Sequence, residues 1–165
     1  MSCSSYTQHS LARAAPEGVK PTGRVRFNVT LAAVNRRVVL RMEQEGRKEP
    51  QDYIAIEQDT LVEIVLHGDQ LFFSHAFDAI TTKAELGFFY GGIEHDGYDR
   101  KVDRYRIVRF VARFNRGGKA GTIHPFNINV DFLQEMGSNG PKWIGLTIDP
   151  DIKNPPPMVV VGRPS

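Results

Sequence analysis

The chain has 165 residues, 41% hydrophobic and 24% charged, with a formal net charge of +2; this is the composition of a single globular domain and excludes wholesale disorder and a coiled coil. One cysteine, Cys3, excludes an internal disulfide and a cysteine-ligated zinc site. No apolar run reaches the roughly 18 residues that a spanning helix needs, and residues 1–20 lack an apolar signal core, so no membrane contact and a cytoplasmic location are expected.

Residues 1–22 read as a flexible N-terminal tail, because Pro16, Gly18, Pro21 and Gly23 interrupt any local periodicity. The folded domain is expected over residues 23–165. It opens with strict alternation from Arg24 to Leu31, which places Val25, Phe27, Val29 and Leu31 on one face of a strand. Val38 to Met42 gives a second strand, and Glu43 to Asp52 a charged loop. Thr60 to Leu66, the turn His67–Gln70 and Leu71 to Phe73 read as a hairpin. Phe77, Ile80 and Ala84 fall at helical spacing, with Ser74 placed to cap a short helix. Leu86, Phe88 and Tyr90 alternate again as a strand does.

Tyr105 to Phe114 is a strand with a change of phase at Ile107–Val108, as a β-bulge produces, or else a strand buried on both faces. Phe126 to Phe132, Ile144 to Ile148 and Met158 to Val161 complete the series, with Pro155–Pro157 as a stiff spacer. The fold class that follows is all-β, an antiparallel β-sandwich of about eight or nine strands.

The familiar catalytic motifs are absent: no P-loop, no dinucleotide-binding glycine fingerprint, no nucleophile elbow and no zinc-binding helix. Two features remain. The glycine-rich stretch Gly91–Asp103 gathers Glu94, His95, Asp96, Asp99 and Asp103. Oxygen ligands on a loop suit a hard divalent cation, for which Glu94, His95, Asp96 and Asp99 are the candidate ligands, although Arg100 and Lys101 oppose one. No other cofactor is expected. Basic charge concentrates just beyond, and Arg106, Arg109 and Arg113, interleaved with aromatic residues, are the candidate ligands for an anion or a nucleic acid.

The stretch from Trp143 to Pro157, with its run Ile148-Asp-Pro-Asp-Ile-Lys-Asn-Pro-Pro-Pro157, resembles the C-terminal region of small bacterial proteins labelled nucleotide synthetases. That resemblance implies nucleotide chemistry and assigns no catalytic residue. In size and β-rich pattern the chain also resembles the AidA/PixA-type inclusion-body proteins.

Three functions stand on these residues. A non-catalytic sandwich that binds a ligand or a protein partner, or self-associates, fits the missing motifs best. An enzyme built on the Glu94–Asp103 loop is the second, and an anion or nucleic-acid binder acting through the Arg104–Arg113 strand the third.

Overall fold

Alternation becomes strand along nearly the whole chain. A computed structural model describes residues 8–114 and 123–153. Its strands are β1 (His9–Ser10), β2 (Gly23–Val34), β3 (Arg37–Gln44), β4 (Tyr53–Ala55), β5 (Thr60–Leu66), β6 (Leu71–Phe73), β7 (Ile80–Thr82), β8 (Tyr90–Asp96), β9 (Ile107–Ala112), β10 (Ile123–Gly137), β11 (Gly140–Ile148) and β12 (Asp151–Lys153). No helix occurs among the described residues, and none is long and apolar enough to cross a membrane.

The strands form two sheets. One has five strands in the order β3-β2-β5-β9-β8. The other is organised on β10, a spine of 15 residues. One side of β10 carries β7 and then β6; the other carries β12 and then β11. β1 extends the sheet beyond β7, and β4 extends it beyond β12. Phe27, Val29, Val62, Ile64 and Phe110 of the first sheet share one core with Ile54, Phe73, Phe126, Ile128 and Val130 of the second. A core shared between two sheet faces is what makes the molecule a sandwich.

Several expectations change. The sheets are mixed rather than purely antiparallel, since β2–β5 and β4–β12 pair in parallel. The expected hairpin at 60–73 does not form. β5 belongs to the five-stranded sheet and β6 pairs with β10 in the other, so the His67–Gln70 turn crosses between layers. The Ser74 hydroxyl does accept a bond from the Phe77 amide, but it closes a turn, not a helix. Leu86 and Phe88 precede β8 instead of continuing it, and Phe88 is exposed. The bulge lies on β8, between Gly91 and Glu94 opposite Val111 and Arg109, not on β9. The phase change at Ile107 marks where loop becomes strand.

The N-terminal segment differs most from the expected tail. From Gln8 onward it is a docked strap. His9 and Ser10 pair with Thr82 and Thr81, Leu11 and Val19 are buried, and the amides of Gly92 and Ile93 donate to the Ala12 carbonyl. Its prolines break helix without preventing it from running along an existing surface. Met158–Val161 lie outside the described residues.

Candidate functional site

The face of the five-stranded sheet turned away from the core carries a row of charges across four strands. Register sets Arg26 of β2 beside Glu63 of β5, and Glu63 beside Arg109 of β9. Glu63 accepts from Arg26 Nε at 2.7 Å and from Arg109 Nε at 2.6 Å, and Arg109 Nη1 reaches Asp96 of β8 at 2.9 Å. Burial, the largest single influence, pushes the Glu63 carboxyl up, but the bonds and charges of Arg109 and Arg26 together hold it below its ordinary value. The Gly97 amide and then Arg109 lower the Asp96 carboxyl.

The candidate arginines do not converge. Arg106 lies at the start of β9, 3.3 Å from Asp99, with its guanidinium 4.5 Å over the Phe72 ring. Its Nε is buried without a hydrogen bond among the described residues. Arg109 sits mid-strand inside the charge row. Arg113 lies beyond the far end of β9, where it donates to the carbonyls of Phe88 and Glu17 and so clamps the N-terminal strap.

The candidate metal ligands are separated for a simple reason. Successive strand side chains face opposite ways. Asp96 lies on the charge-row face with Arg109, whereas His95 turns to the other side and stacks against Tyr105 at 5.3 Å. Glu94 is exposed, and Asp99 is held by Arg106. Among the described residues no group of three His, Cys, Asp or Glu side chains is arranged to hold a metal ion.

His95 instead enters a cleft of about 320 Å³ with residues no local pattern had linked: Ser74, His75 and Asp78 from the β6–β7 connection, and Asp103 and Tyr105 from the β8–β9 loop. His75 Nε2 meets Asp103 Oδ2 at 3.3 Å, and the Tyr98 hydroxyl donates to the other oxygen of Asp103. The Tyr98 bond, then the His75 bond, lower the Asp103 carboxyl, while Asp103 raises the Tyr98 phenol. Asp103 adopts a left-handed backbone, φ 53°, which is uncommon for a residue with a side chain. Partial burial lowers the pKa of His95, against an opposing pull from Asp78, although much of the residue is open to solvent. Phe77 and Tyr105 are exposed aromatic rings at the rim.

Residues outside the cleft set its shape. Asp131 on β10 accepts from the His75 amide at 3.0 Å and from Arg104 Nε at 2.8 Å, tying both connections to the spine. Asn129 donates to the Asp78 carbonyl, and Ser10 of the strap bonds the Asp78 carboxylate. Val102 inserts into a second, smaller core with Phe72 and Leu133, against which Trp143 packs, and this fixes the loop that presents Asp103. Asn127, Asn129 and Asp131, which alternation alone assigns to solvent, are therefore buried.

A cleft with a histidine–carboxylate pair, a second histidine and aromatic rims can hold a planar ring and move a proton. Of its residues, sequence reasoning had singled out His95 among the candidate ligands and Asp103 within the same loop. It had no signal for Asp78, Arg104 or Asp131 as partners of that loop. The model of a family described as predicted novel nucleotide synthetase matches residues 1–157. No curated protein matches the chain.

Proposed function

Taking as premise that the chain belongs to the predicted novel nucleotide synthetase family, we propose that it binds a nucleotide in the His75–His95–Asp103 cleft and acts on it as an enzyme. The observation that carries this reading is the His75–Asp103 pair, set in the same cleft as His95 and Tyr105. Small-molecule sites span roughly 300–1,000 Å³, and this cleft, near the lower limit, suits a nucleobase and its sugar with the phosphates at the mouth. Tyr105 and Phe77 offer faces on which a base stacks. Arg100 and Lys101, on the loop that carries Asp103, form no ion pair with a described residue, and in this reading they meet the phosphates. In this reading Asp103 orients the imidazole of His75, which takes the proton from an acceptor hydroxyl as its oxygen bonds to the α-phosphorus of the bound triphosphate and pyrophosphate leaves with the electron pair of the broken P–O bond. Arg106, Arg109 and Arg113 serve the scaffold, with their charges and bonds spent on Asp99, Glu63 and the strap.

Trp143, the one tryptophan of the sequence, lies 3.7 Å from the guanidinium of Arg104, which lines the cleft. Titration with nucleoside triphosphates and magnesium, followed by tryptophan fluorescence, reads binding; chromatography of the same mixtures reads turnover. His75→Ala and Asp103→Asn are expected to keep affinity within a few-fold and to lower turnover by about 100-fold or more. Binding without turnover returns the protein to the non-catalytic class. Absence of binding removes the nucleotide reading.

A further inference from the structure

Among the described residues, the sheet edge opposite the cleft is open: β3 is the terminal strand of its sheet and pairs with β2 alone. The two strands are joined by Asn35 and Arg36, both at positive φ (49° and 63°), as a tight two-residue hairpin turn requires. Val34 and Arg37 are then a bonded pair, and bonded pairs recur at every second residue. Val38, Leu40 and Met42 therefore turn their main-chain groups away from β2. The Met42 carbonyl does so and accepts from the Gln51 amide at 2.9 Å, which closes the edge at that point. At Val38 and Leu40 no hydrogen bond from the described residues fills it.

Alongside runs an open groove of about 980 Å³, lined by Leu40 and Met42 from the core-side face of β3 and by Val39 and Arg41 from its outer face. Val34 and Val39 are 50% and 40% exposed. Arg36, Arg37 and Arg41 on the hairpin, and Arg47 and Lys48 across the groove, form no ion pair with any described residue. Glu49 and Asp52 of the same loop also line the groove, facing Arg47 and Lys48, so the uncompensated charge lies on the strand, at Arg37 and Arg41. On the same sheet Arg26 and Arg109 are each bound to Glu63, while Arg24 of β2 forms no ion pair with a described residue.

We propose that this edge receives an extended acidic segment of a partner protein as an added strand. The backbone selects a peptide: Val38 and Leu40 each present a donor and an acceptor, and only another peptide chain supplies both in alternation. A phosphodiester chain supplies acceptors and leaves the two carbonyls unpaired. The charges select an acidic sequence, because acids at alternate positions fall opposite Arg37 and Arg41 while the intervening residues face the groove. A second copy is a poor occupant. Antiparallel pairing through Val38 and Leu40 sets Arg37 of each copy against Arg41 of the other, and like charges directly opposed are destabilising.

The test uses the full chain and fluorescein-labelled peptides in which glutamate alternates with valine and threonine, read by anisotropy. The acidic peptide is expected to bind, and N-methylation of its alternate amides to weaken binding about ten-fold or more, since a charge-driven encounter alone survives that change. Arg37→Glu combined with Arg41→Glu is expected to weaken it to a similar degree with no change in unfolding midpoint. Equal binding of the methylated and parent peptides, tighter binding of a single-stranded oligonucleotide of equal charge, dimerisation through this edge in sedimentation, or no binding would each overturn the proposal.

Discussion

Glu63 is the residue on which the outer sheet face depends. Its carboxylate serves two guanidiniums at once, so Glu63→Gln removes half of each charge-assisted bond and leaves Arg26 and Arg109 with a weaker partner. The expected loss of stability is about 1–3 kcal/mol, measured by urea denaturation at neutral pH. The pH dependence has a definite sign. A carboxyl held below its ordinary value of 4.5 contributes stability that is present above that value and lost as pH falls through its lower folded-state pKa. The wild type should therefore lose stability more steeply below about pH 4.5 than Glu63→Gln does; parallel acid limbs would count against the charge row. Asp103 offers a second residue-level test, because its side chain and its backbone make separate demands. Both Asp103→Ala and Asp103→Gly remove the partner of His75, but only glycine adopts a left-handed backbone freely. Asp103→Gly should thus be the more stable of the two by about 1 kcal/mol in thermal or chemical unfolding.

At the scale of elements, the N-terminal strap is where sequence and structure part. Its local pattern is broken by Pro16, Gly18 and Pro21, and a reading that seeks periodicity finds none. The segment does not need a period, because it lies on a surface the body already provides: β7 on one side and the Gly91–Ile93 bulge on the other. A chain beginning at Gly23 loses the buried Leu11 and Val19 and should unfold at least about 2 kcal/mol more easily, given roughly 1.5–3 kcal/mol for each such side chain. Gly91→Ala tests the contact from the other side. Its added methyl carbon would stand 2.4 Å from the Ala14 carbonyl oxygen, so the strap must shift. The expected cost is about 1–3 kcal/mol, with faster amide exchange at Gly92 and Ile93. The strands of strong alternation, β2, β5 and β10, were legible because each has one face in the core. β1, β4 and β12, of two or three residues each, carry too few side chains to show a period at all.

Across the whole molecule, what escaped the sequence was the meeting of distant segments. The cleft joins residues 74–79 to His95 and to 103–105, and its geometry is held by Asp131 and Ser10. Nothing local marks Asp131 apart from Asn127 and Asn129, which alternate with the same core residues; only the path of the loop over the spine distinguishes it. The glycine-rich loop contributes His95 and Asp103 to the cleft, while the pleat sends Asp96 and His95 to opposite faces. Pairings such as β1 with β7, β4 with β12 and β5 with β9 also join strands far apart in the chain. Folding should accordingly be slow, on the order of milliseconds to seconds, and stopped-flow fluorescence of Trp143 measures it; a faster phase carrying the full amplitude would contradict the topology.

The charge row on the outer face also governs how the molecule looks from afar. Arg26, Glu63, Arg109 and Asp96 alternate in sign across adjacent strands, so their fields cancel within a few ångströms. At physiological ionic strength, where fields decay over about 8 Å, an approaching anion senses almost nothing from that paired row. Its attraction comes from cations that form no ion pair with a described residue: Arg24 beside the row, Arg36, Arg37 and Arg41 at the hairpin, and Arg100 and Lys101 on the loop that carries Asp103. Diffusional capture is thereby directed past the row to these separate points, and a negatively charged visitor meets single cations instead of a uniform field.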